Sequence, residues 1–90
     1  MAIAILFDGP GVTQAQYDQA NQAVNPSNTL MPGCLYHVAG PTETGWRVVE
    51  VWESQEVLDR FFQEKLGQAL QQANINVLPQ TFQVYNILKP

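Results

Sequence analysis

Between Gly45 and Leu70 the pattern of apolar and polar positions changes its period within one residue. GWRVVEVWE alternates as a strand does, and SQEVLDRFFQEKLGQAL, directly after it, repeats its apolar residues at helical spacing. The junction predicts a strand from Trp46 to Glu53 and a helix capped by Ser54, with Glu56 setting a carboxylate at the positive end of the helix dipole. Leu58, Phe61, Phe62, Leu66, Ala69, Leu70 and Ala73 make one apolar stripe, and Asp59, Arg60, Glu64 and Lys65 fall mostly outside it. Such a helix lies against a sheet. Gly67, about 1 kcal/mol worse than alanine in a helix interior, predicts a kink or break.

The N-terminal half repeats this logic. Ala2 to Asp8 is an apolar run of strand length, closed by the turn residues Gly9, Pro10 and Gly11. Thr13 then caps a helix whose buried stripe is Tyr17, Ala20 and Val24, and Asn25-Pro26 ends it because the residue before proline is pushed out of the α region. Pro32-Gly33 opens an extended segment through about Gly40, Pro41 to Gly45 turns the chain, and Phe82 to Leu88 is the last strand, preceded by Pro79. The order β-α-β-β-α-β, with right-handed crossovers, predicts an α+β ferredoxin-like sandwich: a four-stranded antiparallel sheet with two helices on one face.

Both faces of that sheet are apolar. Ile3, Ile5 and Phe7 oppose Ala4 and Leu6 on the first strand, and neither set suits water. A second copy packed sheet to sheet across a two-fold axis buries the face that the helices leave open, so a homodimer is expected. A chain of 90 residues is expected to form one domain, 1-90, of a size at which pairing adds needed burial.

Composition narrows the partners. The chain is 46% hydrophobic and 13% charged, with a formal charge of -4 and only Arg47, Arg60, Lys65 and Lys89 as cations, which argues against nucleic acid and anionic membranes. Cys34 is the lone cysteine, so no internal disulfide forms, and a cytoplasmic setting is expected. MAIAILFDGPG lacks the charged start of a secretory signal and is too short to span a bilayer. One histidine and scattered carboxylates give no metal-ligand spacing, and Gly9-Pro10-Gly11 lacks the pattern of a phosphate loop.

Candidate chemistry depends on hairpin register. If paired positions sum to 87, His37 faces Glu50 and Leu35 faces Trp52, which sets an imidazole beside a carboxylate. If they sum to 86, Tyr36 meets Glu50, Cys34 meets Trp52, and His37 turns to the other face. The first register is favoured. It makes His37 and Glu50 a candidate acid-base pair, the carboxylate holding the tautomer of the ring. A lone strand histidine is more often a satisfied core or rim residue. A carboxylate among apolar neighbours must be paired or protonated.

Gly33 before an alternating strand, and Glu50 to Ser54 (E-V-W-E-S) running into Val57-Leu58-Asp59-Arg60-Phe61-Phe62, resemble the antibiotic biosynthesis monooxygenase-like family of dimeric α/β-barrel proteins. The likeness covers essentially the whole chain. It implies a dimer whose sheets form a barrel, with a pocket in each subunit between sheet and helices. The family includes cofactor-independent monooxygenases, haem-degrading enzymes, isomerases and members without an assigned activity. The haem-degrading pattern of Asn, Trp and axial His meets Phe7 or Asp8, Phe61 and a histidine-free tract through Gln71 and Gln72 in this chain, so no cofactor is expected. Against the quinone-forming monooxygenases, Trp52 matches directly, with His37 and Tyr36 approximate matches.

Tyr17, Tyr36, Trp46, Trp52 and Phe61 are the expected pocket lining, although aromatic residues at such positions ordinarily serve the core or an interface. The expectation is a homodimeric domain holding a small apolar or aromatic ligand. The alternative is a cofactor-independent monooxygenase or isomerase acting on an aromatic or conjugated molecule, with His37 and Glu50 catalytic.

Overall fold

The computed structural model describes residues 1–90. Four strands, β1 (Ile3–Pro10), β2 (Cys34–Pro41), β3 (Gly45–Trp52) and β4 (Gln80–Gln83), form one sheet in the order β2-β3-β1-β4, with every neighbouring pair antiparallel. Helix α1 (Gln14–Val24) joins β1 to β2. The path from β3 to β4 runs through α2 (Gln55–Phe61), a π-helical turn over Phe62–Leu66, and α3 (Gly67–Gln72). The helices cover one face, which is the expected ferredoxin-like arrangement. No helix is long and apolar enough to cross a membrane.

Local chemistry accounts for the helix starts. Thr13 Oγ1 accepts from Gln16 N at 3.1 Å while Gln16 Oε1 accepts from Thr13 N at 2.9 Å, a reciprocal capping box. Ser54 Oγ accepts from Val57 N at 3.2 Å. Helix α1 ends at Asn25, as Pro26 requires. The irregularity expected near Gly67 is the π turn, where Gly67 N donates to Phe62 O, one residue farther back than in an α-helix.

Two boundaries differ from expectation. Strand β1 does not stop at Asp8. It continues to Pro10, which pairs with Gly45, and the proline is tolerated because β4 pairs only with Ile3 to Leu6, so nothing on that side needs its missing N–H. The final strand is not Phe82 to Leu88 but Gln80–Gln83. Its only partner is β1, and β1 begins at Ile3, opposite Gln83; beyond one bond from Val84 N to Ala2 O the ladder has no backbone left. Tyr85 and Leu88 are accordingly exposed.

The interior has two centres. Ile3, Ile5, Met31, Cys34, Trp52 and Leu58 pack between sheet and α2, while Ala20, Ala69 and Ala73 let α1 and α3 approach closely. Phe61 borders the first cluster and Val24, Leu70 and Ile75 border the second. The space between them is the cavity described next.

Candidate functional site

A β-bulge near the start of β2 sets which of its first residues lie under the helices. His37 pairs with Glu50, as in the favoured register, but Cys34 rather than Leu35 pairs with Trp52, since the register shifts between Cys34 and Tyr36. In a regular ladder Cys34 and His37, three apart, point to opposite faces; the extra residue brings both under the helices. Tyr36 stays opposite Val51 and belongs to the outer face, so it does not line the cavity as expected.

On β3, Glu50 and Trp52 project to the same side, as alternate residues do. Trp52 Nε1 donates to Glu50 Oε1 at 3.1 Å, and His37 Nδ1 lies 2.6 Å from Glu50 Oε2. From α1, the Tyr17 hydroxyl reaches His37 Nε2 at 2.7 Å. Four side chains from three elements thus form one hydrogen-bonded line: Tyr17, His37, Glu50, Trp52.

Glu50 is buried, and a carboxylate there costs several kcal/mol unless its oxygens are satisfied. Each oxygen here has its own donor. An ionised Glu50 can only accept, so Nδ1 of a neutral His37 carries the ring hydrogen and Nε2 accepts from Tyr17. A phenol is protonated at neutral pH, and burial, then the negative charge of Glu50 and of Asp18, hold that of Tyr17 above its ordinary pKa, so it donates here. Burial first, and Glu50 second, push the Cys34 thiol up to about 12, so it is no thiolate nucleophile.

The cavity between sheet and helices has a free volume of about 80 Å³ and walls that are mostly apolar, among them Phe7, Val48, Phe61, Leu66 and Leu70. Tyr17, Asn21, His37 and Glu50 supply its polar groups, and Tyr17 and Trp46 sit side by side with ring centroids 5.3 Å apart. The Trp46 Nε1–H is buried and has no hydrogen-bond partner, a condition that typically costs about 1–3 kcal/mol. Trp52 lies behind the wall, fully buried against Phe61 at 4.8 Å, and acts on the cavity through Glu50.

His37 stands at the mouth. Its side chain is 26% exposed and also borders a surface depression formed with Asp18, Asn21, Gln22 and Asn28. Asn21 and Met31, which the sequence reading did not single out, flank this opening. A polar residue one turn after Tyr17 was the available signal for Asn21; Met31 gave none, being an apolar residue in a loop.

Of the expected site residues, the structure gathers His37, Glu50, Tyr17, Trp46 and Phe61 around the cavity, sets Trp52 one layer back, and turns Tyr36 away. No cluster of three or more His, Cys, Asp or Glu side chains could hold a metal ion. The single histidine has both ring nitrogens engaged, so the donor set does not fit axial ligation of haem iron.

By sequence, the chain matches no family model and no curated protein. By structure, it is similar to a Chloroflexus aurantiacus protein provisionally named an antibiotic biosynthesis monooxygenase, with TM-score 0.68, 16% identity, and coverage of 99% of this chain and 98% of the other. A protein of the same provisional name from Deinococcus radiodurans gives TM-score 0.65 and 13% identity over 100% of this chain and 98% of that one. SnoaB from Streptomyces nogalater, a cofactor-independent oxygenase, gives TM-score 0.64 and 12% identity over 99% and 96%. End to end, the chain has the fold of these antibiotic biosynthesis monooxygenase-like proteins.

Proposed function

We propose that the cavity binds a small apolar or aromatic molecule and that Tyr17, His37 and Glu50 remove a proton from it. The observation that carries this reading is the unbroken hydrogen-bonded line from the cavity wall to a buried carboxylate. A phenol or activated carbon acid placed against the Tyr17 oxygen gives up its proton there while the Tyr17 proton passes to His37 Nε2, and Glu50 stabilises the imidazolium so formed. Return of the proton to a different carbon completes an isomerisation with no co-reactant. The second outcome is favoured by the structural likeness to a cofactor-independent oxygenase: the deprotonated molecule gives electrons to dissolved dioxygen, a CH₂ becomes a carbonyl, and the second oxygen leaves as water.

The test is deuterium exchange at the acidic carbon of small phenols and ketones incubated with the protein in heavy water, with dioxygen consumption followed in parallel. Exchange should fall about 10²–10⁴-fold in His37→Gln, the usual contribution of a positioned base. Equal exchange with and without His37 removes the proton-transfer role.

The working unit in this proposal is a homodimer. Leu6, Val49 and Val38 pair in one row across the outer sheet face, and Ala4, Val51 and Tyr36 in the next, where Ala4 also meets Phe82 of β4. Val38 and Phe82 are 65% and 64% exposed. Two apolar rows without a covering helix suit a second copy of the same face.

A further inference from the structure

Every polar group of the hydrogen-bonded line has a partner: both nitrogens of His37, both oxygens of Glu50 and the indole N–H of Trp52. Trp46 differs. Its ring lines the cavity beside Tyr17, and its buried N–H meets no acceptor in the protein. A phenylalanine would make an apolar wall without leaving a donor unpaired. We infer that Trp46 is the specificity-determining donor of the cavity and that its Nε1–H takes a neutral oxygen acceptor of the bound molecule, a carbonyl oxygen being the simplest.

Charge sets the neutrality of that acceptor. No lysine or arginine lines the cavity, and Glu50 does, so a carboxylate or phosphate placed there would lose its hydration and meet a like charge. Proximity sets the rest. Tyr17 and Trp46 are adjacent rings, tilted by 30°, so a single small scaffold can present a hydroxyl to Tyr17 and a carbonyl to Trp46. The free volume of about 80 Å³ is below that of cavities known to hold benzene, roughly 150 Å³, so such a ring displaces side chains at the mouth. Met31, which belongs to the core cluster and also lines the cavity, is unbranched and has the adaptable rotamers that such repacking needs.

This inference rests on the proposal that the cavity takes an aromatic molecule, and the test separates the two. The chain has two tryptophans, so its indole N–H groups give two resolvable proton–nitrogen NMR signals, assigned in the natural chain through the contacts of Trp46 with the Tyr17 ring and of Trp52 with the Phe61 ring. The protein is titrated with para-hydroxyacetophenone and with para-ethylphenol, which has the same shape at the hydroxyl end but no carbonyl. The ketone is expected to bind about fivefold more tightly, the usual worth of one neutral hydrogen bond, and to move the Trp46 indole proton downfield while the Trp52 signal, already bonded to Glu50, stays in place. In Trp46→Phe the preference for the ketone should vanish. If that variant fails to fold, the movement of the wild-type Trp46 signal decides. Equal binding of both compounds with an unmoved Trp46 signal overturns the role of Trp46 and leaves the cavity reading standing; binding of neither overturns both.

Discussion

His37 Nδ1 lies 2.6 Å from Glu50 Oε2 because the β2–β3 ladder runs without a break from Pro41↔Trp46 to Tyr36↔Val51 and sets the two residues opposite each other, on the side of the helices. Glu50 thereby links two donors that are otherwise unrelated in the chain. Glu50→Ala strands His37 Nδ1 and the buried Trp52 Nε1 without an acceptor and should destabilise the fold by about 2–4 kcal/mol. Glu50→Gln retains one acceptor and should cost less. Urea melts of both variants check the order; an alanine variant as stable as the glutamine variant refutes it.

Leu58 tests the packing of α2. It is 3% exposed in the cluster that also holds Ile3, Ile5 and Trp52, so Leu58→Ala removes buried methyl groups and leaves a cavity. A loss of about 2–5 kcal/mol is expected in denaturant melts. A loss under about half a kcal/mol contradicts that placement, since surface changes fall in that range.

Alkaline pH should weaken the fold through Cys34. Its pKa is raised in the folded chain from 9.0 to about 12, so the unfolded chain releases this proton first. The folded state then binds more protons than the unfolded one, and stability falls as pH rises through that window. The contribution is whole below pH 9 and lost progressively toward 12, at up to about 1.4 kcal/mol per pH unit for one group. Tyr17, also raised, adds to the same trend. Cys34→Ala should flatten the decline between those limits in melts run at a series of pH values; an unchanged slope excludes Cys34 as its source.

The outer sheet face offers a separate test. Val49 sits mid-row between Leu6 and Val38 and is 40% exposed in the single chain. Val49→Asp places a charge in the centre of the proposed sheet-to-sheet contact while leaving the helix-facing core untouched. Sedimentation should show a dimer for the natural chain and a monomer of unchanged circular dichroism for the variant. A natural chain that sediments as a monomer at micromolar concentration overturns the dimer.

What the sequence disclosed divides by range. The Thr13 and Ser54 caps were legible because the groups that bond are three residues apart. Gly67 announced the irregular helix without specifying a π turn. The bulge was not legible: Leu35 is neither glycine nor proline, and an inserted residue shows only in how Cys34 and Trp52 come to pair. The end of β4 was equally hidden, for it depends on where β1 begins, some 80 positions away. The bond between Tyr17 and His37, and the isolated N–H of Trp46, arise from docking α1 onto the sheet, which local periodicity does not encode.

The strand order β2-β3-β1-β4 divides the molecule into a working margin and a free one. The mouth at His37 opens beside β2, whereas the chain leaves the sheet at the far edge, through β4 to Pro90, with no ladder bonds after Val84. A fluorophore carried on Gln83, exposed on β4, would therefore stand across the whole width of the sheet from the opening and could report ligand capture without entering it.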